Sequence, residues 1–211
     1  MRSAAGAADY PRDDLAEIAL VGRSNVGKSS LINALVRARV ARTSAAPGKT
    51  RLANIYRVTR GGAAPFYLVD LPGYGYARGG RESAREFEAL TRSYFARGTT
   101  AGLLLVDSRH PGLASDRAAW PWLRETVVGA AIVATKIDKL ARGERIRAMR
   151  ELESVFDEPV LPVSAVTGEG LDDLWKLIDR LLKRSNPLPR NSRPPSQTAA
   201  PAPPRRPPRK S

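Results

Sequence analysis

Short apolar runs alternate along this chain with longer stretches in which apolar residues return every three or four positions. The run EIALVG (17–22) has the length of a buried strand, and NIYRV (54–58) alternates as a half-exposed strand does. FYLVD (66–70), AGLLLVD (101–107), AAIVATK (130–136) and PVLPVS (159–164) predict further strands. KSSLINALVRA (28–38) places Leu31, Ile32 and Leu35 at helical spacing. Helices are also predicted over about 82–97, 115–126, 143–155 and 170–184, the last with Leu171, Leu174, Trp175, Ile178, Leu181 and Leu182 on one stripe. Strands alternating with amphipathic helices predict an α/β fold, a mostly parallel sheet covered on both faces. Ligands then bind beyond the carboxyl ends of the strands, in the loops after EIALV, FYLV, AAIVA and PVLPV.

Composition narrows this picture. The 211 residues suffice for one well-buried domain, and the absence of cysteine excludes disulfides and thiolate metal sites. The longest apolar runs, such as AIVA and LLLV, are too short to span a bilayer. MRSAAGAADYPRDD lacks the apolar core of a signal peptide, and its acids speak against a transit peptide, so residues 1–14 are expected to be a flexible leader. The domain is expected over 15–184. Residues 185–211 are so rich in proline and arginine, and so poor in apolar residues, that a disordered tail is expected. The net charge is +14, and the tail carries six basic residues and no acid, so 14 − 6 leaves +8 on the rest. A polyanionic partner follows, nucleic acid before membrane, with solubility as the plainer alternative.

The first loop carries chemistry. Gly22, Arg23, Ser24, Asn25, Val26, Gly27, Lys28 and Ser29 spell G-x-x-x-x-G-K-S between a strand and a helix. Its amides and the helix N-terminus suit phosphate oxygens, Lys28 reaches the β- and γ-phosphates, and the Ser29 hydroxyl ligates Mg²⁺. Asp70, Leu71, Pro72 and Gly73 follow the strand FYLV; Asp70 can hold Mg²⁺ through a water, and the Gly73 N–H can touch a γ-phosphate. Thr135, Lys136, Ile137 and Asp138 follow AAIVA. The Asp138 carboxylate can accept from N1–H and the 2-amino group of guanine, a pairing that adenine cannot supply. Val163, Ser164 and Ala165 follow the next strand, and the Ala165 N–H suits the guanine O6. Between the first helix and the strand NIYRV lies TSAAPGKTR, small and polar, as in a loop that orders around a γ-phosphate. Thr50 is its expected Mg²⁺ ligand, with Thr43 the alternative. His110 is expected in a turn, and Trp120, Trp122 and Trp175 in packing.

Five such pieces in this order are the signature of translation-factor-type P-loop GTPases. GRSNVGKSSLINAL, TSAAPGKT, DLPGYGYA and TKIDK together resemble the EngB family of bacterial ribosome-biogenesis GTPases, over roughly residues 15–184. The resemblance implies a three-layer, Ras-like P-loop NTPase fold whose six-stranded sheet is mostly parallel with one antiparallel strand. It implies GTP binding by residues 22–29, by Gly48, Lys49, Thr50, Arg51 and Leu52, and by 70–73, 135–138 and 163–165. It also implies Mg²⁺ on Ser29 and Thr50, and a role in large-subunit assembly linked to cell division and septation. The family usually has glutamine where this chain has Arg51, which leaves that side chain's contact open. Lys28, Asn25, Thr50 and Gly73 are the catalytic candidates. Tyr74 stands where a hydrolytic switch often has glutamine, so it cannot orient water by an amide, and its phenol is free to enter a protein contact. Slow hydrolysis is expected, stimulated by K⁺ near Asn25 or by ribosomal RNA and protein; a loop-stabilising amide is the other role open to Asn25. Arg78, Arg81, Arg85, Arg92 and Arg97, with Tyr76, either meet RNA or form a solvated face. The expected state is a cytoplasmic monomer that binds GTP, GDP and the large subunit or its precursor, and no membrane. The alternatives are an RNA-binding switch with negligible hydrolysis, or an Era- or EngA-like GTPase with another RNA target.

Overall fold

The computed structural model describes residues 2–4, 9–11, 13, 15–41, 53–74, 91, 94–96 and 100–185. Among them, seven strands form one sheet: β1 (Arg2–Ala4), β2 (Glu17–Gly22), β3 (Ala53–Val58), β4 (Phe66–Asp70), β5 (Thr100–Asp107), β6 (Ala130–Thr135) and β7 (Val160–Pro162). Their spatial order is β1-β3-β4-β2-β5-β6-β7. β2, β4, β5, β6 and β7 run parallel, and β3 is antiparallel to β4. These are the six strands expected. The seventh, β1, comes from the segment expected to be a leader and adds antiparallel to the outer side of β3. Tyr10, from the same segment, is 3% exposed and packs against Tyr94, so this stretch contributes to the core.

Side-chain alternation divides the core in two, because neighbouring residues of a strand face opposite sides. Ile18 and Leu20 of β2, with Leu103 and Leu105 of β5, meet α1 (Lys28–Val36) and α4 (Leu171–Ser185). Ala19, Val21, Leu104 and Val106 face α2 (Ala114–Thr126) and α3 (Arg142–Phe156). All six residues of β2 are buried, which explains why it reads as a continuous apolar run rather than an alternating one. Trp120 and Trp175 are core residues, and Trp122 packs edge-on to Phe95 with ring centroids 5.5 Å apart. The predicted helix over 82–97 falls mostly outside the described residues.

Candidate functional site

Parallel register brings the chemistry-bearing loops to one edge of the sheet. Leu20 lies beside Asp70, Gly22 beside Leu105, and Asp107 beside Thr135. The first loop leaves β2 at Gly22, passes Arg23, Ser24, Asn25 and Val26, and enters α1 through Gly27, its N-cap. Asn25 takes a left-handed φ of 62°, and the Val26 N–H donates to the Arg23 carbonyl at 3.3 Å. Lys28 is 7% exposed, and its Nζ donates to the carbonyls of Gly22 (3.2 Å) and Arg23 (3.3 Å). Burial lowers the Lys28 pKa, and the negative charge of Asp70 opposes that shift.

Ser29 and Asp70 meet directly. Ser29 Oγ donates to Asp70 Oδ2 at 2.7 Å. Asp70 is 1% exposed, and burial raises its pKa against the pull of Lys28 and of the Ser29 hydrogen bond. Its other oxygen, Oδ1, is buried with no hydrogen-bond partner among the described residues. Leu71 and Pro72 are buried next to it, and Gly73 backs onto Ser24. Tyr74 then pairs with Arg23 in an isolated parallel bridge. Its phenol does enter a protein contact, donating to Asp116 Oδ1 at 2.9 Å.

A second cluster lies beyond β5, β6 and β7. Thr135 Oγ1 is 2.7 Å from the Val26 carbonyl and 3.0 Å from that of Val106, so its one proton serves the first loop or the adjacent strand. Lys136, at φ 63°, donates through Nζ to the Asn25 carbonyl at 2.5 Å and to Asp107 Oδ2 at 2.8 Å. Asp107 also receives both Arg109 Nε (2.9 Å) and Nη2 (2.7 Å). Burial alone would raise the Asp107 pKa, but the hydrogen bonds from Arg109 and Lys136 hold it well below the usual carboxylate range. Ile137 is 1% exposed. Asp138 accepts from Ser164 Oγ at 2.7 Å, and Ser164 Oγ in turn accepts the N–H groups of Val166 (3.2 Å) and Thr167 (3.1 Å). Val163 and Ser164 are fully buried, and Ala165 is half-buried at the start of that loop. The Asp138 carboxylate is thus oriented by a hydroxyl whose own lone pairs are occupied by backbone donors.

The structure therefore brings together residues 22–29, 70–73, 135–138 and 163–165. Gly48, Lys49, Thr50, Arg51, Leu52 and Thr43 lie outside the described residues, as do Tyr76 and Arg78, Arg81, Arg85, Arg92 and Arg97. Three contributors escape the sequence motifs: Asp107, Arg109 and Asp116. An aspartate closing β5, as Asp70 closes β4, is the signal that points to Asp107. Asp116 has none, being one acid among 21. His110 sits in the turn after β5, its N–H on the Asp107 carbonyl at 2.9 Å. A cleft of about 560 Å³ between the end of α1, β3 and the start of α4, lined by Leu35, Tyr56, Arg57 and Trp175, contains none of these loops. The phosphate-suited amides and the oriented carboxylate lie at the strand ends instead, and they define the site.

Comparison with known proteins agrees with this arrangement. Residues 17–136 match the family described as "50S ribosome-binding GTPase". The chain is 42% identical over 185 residues to the probable GTP-binding protein EngB of Pelotomaculum thermopropionicum, covering 84% of this chain and 91% of that protein. It is 41% identical over 183 residues to the corresponding protein of Thermotoga maritima, covering 84% and 92%. Among solved structures, a crystal structure of a probable GTP-binding protein EngB superposes with a TM-score of 0.59 at 23% identity, over 79% of this chain and 98% of that one. Era of Aquifex aeolicus bound to GDP and AlF₄⁻ superposes with a TM-score of 0.67 at 24% identity, over 80% of this chain and 56% of that one. At these identities the structural likenesses bear on the fold alone.

Proposed function

Because the chain belongs to the EngB family of GTP-binding proteins and is a P-loop GTPase, we propose that it is a slow, GTP-driven switch in assembly of the large ribosomal subunit. Cell division and septation depend on that assembly as a consequence, and the protein works as a cytoplasmic monomer. The ribosomal partner is supported by the description of the family that matches residues 17–136 and by the net charge of +14. None of the helices among the described residues is long and apolar enough to cross a membrane.

In this reading residues 22–29 cradle the phosphates, 48–52 and 70–73 respond to the γ-phosphate, and 135–138 with 163–165 receive guanine. The Lys28 ammonium and the loop amides stabilise charge on the transferring phosphoryl group. Asp138 discriminates guanine because an adenine in its place would leave a carboxylate unpaired. The acidic end of the site fits a divalent cation: among the described residues no donor reaches one buried oxygen of Asp70, and Ser29 presents its hydroxyl to the other. Ser29 and Thr50 would hold Mg²⁺ directly and Asp70 through a water. Bound there, it would neutralise charge on the β- and γ-oxygens. Asn25 is the residue suited to K⁺.

The slow rate is carried by one observation. The Tyr74 phenol is engaged by Asp116, so residue 74 aims no side chain at a water beside the γ-phosphate. Turnover measured in K⁺ and in Na⁺, with and without large-subunit precursors, tests this together with sedimentation under GTP, GDP and no nucleotide. Co-sedimentation in the GTP state alone, with turnover raised by K⁺ or by particles, is expected. Rates identical under all conditions, or no association with particles, would overturn the proposal in favour of another RNA target or a switch that scarcely hydrolyses GTP.

A further inference from the structure

Tyr74 is anchored at both ends. Its carbonyl accepts the Ser24 N–H at 3.1 Å, and its phenol donates to Asp116 Oδ1 at 2.9 Å. Asp116 is 2% exposed and lies in the first turn of α2. That helix is fixed to the sheet through Trp120 and Leu123, with Leu123 packed directly over Gly102 of β5. Burial and the nearby Asp116 carboxylate push the Tyr74 phenol well above its ordinary pKa, so it keeps the proton it donates. The segment from Gly73 to Tyr74 therefore runs between a helix packed on the sheet and the first loop. It is pressed close: a Cβ on Gly73 would sit 2.5 Å from the Ser24 nitrogen.

We infer that Tyr74 and Asp116 are positioning residues for recognition of the γ-phosphate, holding the Gly73 N–H in place by tying residue 74 to α2. The inference rests on the reading of Gly73 as a γ-phosphate contact. A donor contributes to binding to the extent that it is already oriented when the charge arrives. A tyrosine at this position thus gives up the orientation of water and supplies rigidity to the adjacent peptide. GDP has no γ-phosphate, so loss of the anchor falls on the triphosphate alone.

Affinities of the full chain for GDP and for a non-hydrolysable β,γ-imido analogue of GTP, measured by calorimetry for Tyr74→Phe, Asp116→Ala, Asp116→Asn and Gly73→Ala, test the assignment. Tyr74→Phe and Asp116→Ala are expected to weaken the analogue about tenfold and to leave GDP unchanged. Asp116→Asn retains an acceptor oxygen and restores most of the affinity. Tyr74→Phe removes a single oxygen and keeps the ring, so it reports even where Asp116→Ala fails to fold. Equal weakening of both nucleotides would make the pair merely structural, and an unchanged Tyr74→Phe would overturn the inference outright. Gly73→Ala separates the two levels. Its Cβ would crowd Ser24 of the phosphate loop, so the readout is the ratio of the two affinities: if the analogue loses no more than GDP does, the γ-phosphate reading of Gly73 falls and the inference with it. If it weakens the analogue more than GDP while Tyr74→Phe does not, the inference alone falls.

Discussion

Asp70 closes β4 and Asp107 closes β5, the parallel strands on either side of β2, yet their surroundings tune them in opposite directions. Asp107 receives Lys136 and both ends of the Arg109 fork, and those donors outweigh its burial. Among the described residues Asp70 receives one hydroxyl and keeps a buried oxygen without a partner, so burial dominates. The first is a clamp whose acceptors are filled by protein; the second retains acceptor capacity for something else. Because the Asp107 pKa is depressed in the folded state, its contribution to stability is present above the unfolded value near 4 and is lost as pH falls through the lower folded value. Asp107→Asn is expected to cost about 1–2 kcal/mol at pH 7, a figure reduced for the partial exposure of Arg109 and Lys136. Urea denaturation of both proteins should show that gap at neutral pH and a narrowing gap below about pH 4. A gap independent of pH would remove the charge from the explanation.

The loop between β7 and α4 shows how an element boundary departs from its sequence pattern. The apolar run continues to Ser164, but β7 ends at Pro162 because the Ser164 N–H turns to the Glu169 carbonyl at 2.9 Å. The Gly168 N–H then returns to the Ser164 carbonyl at 3.0 Å, closing a tight loop that points the Ser164 hydroxyl at Asp138. Gly170 makes the exit into α4 possible. Its φ is 77°, and a Cβ there would collide with the Pro162 carbonyl oxygen. Backbone cannot yield as a flexible side chain does, so Gly170→Ala is expected to cost about 2–4 kcal/mol in chemical denaturation. It should also weaken guanine nucleotides if Asp138 reads the base as proposed, since Ser164 orients that carboxylate. Nucleotide titration of the refolded variant checks the second effect separately from the first.

At the scale of the molecule, charge and topology act independently. Removing residues 186–211 takes away six basic residues and lowers the net charge from +14 to +8. The cut leaves α4 whole, since that helix ends at Ser185, whose Oγ donates to the Leu181 carbonyl at 3.0 Å. GTP affinity is expected to be unchanged. The logarithmic salt dependence of binding to ribosomal RNA fragments, followed by fluorescence anisotropy, should become shallower by up to about four. An unchanged slope would assign RNA attraction to the domain alone. The sequence by itself determined the strand-and-helix alternation, the G-x-x-x-x-G-K-S loop and the position of the Asp138 carboxylate just past a strand. Each of these is encoded in contiguous residues, by apolar period or by glycines and donors a few positions apart. Tertiary structure alone decided which distant groups complete them: Ser29 with Asp70 across 41 residues, Tyr74 with Asp116 across 42, and Lys136 with Asn25 across 111. Those pairings follow from strand order and register, which place separate loops at one sheet edge. No local spacing distinguishes Asp116 from the other acids of the chain; only the packing of α2 on β5 carries it to Tyr74.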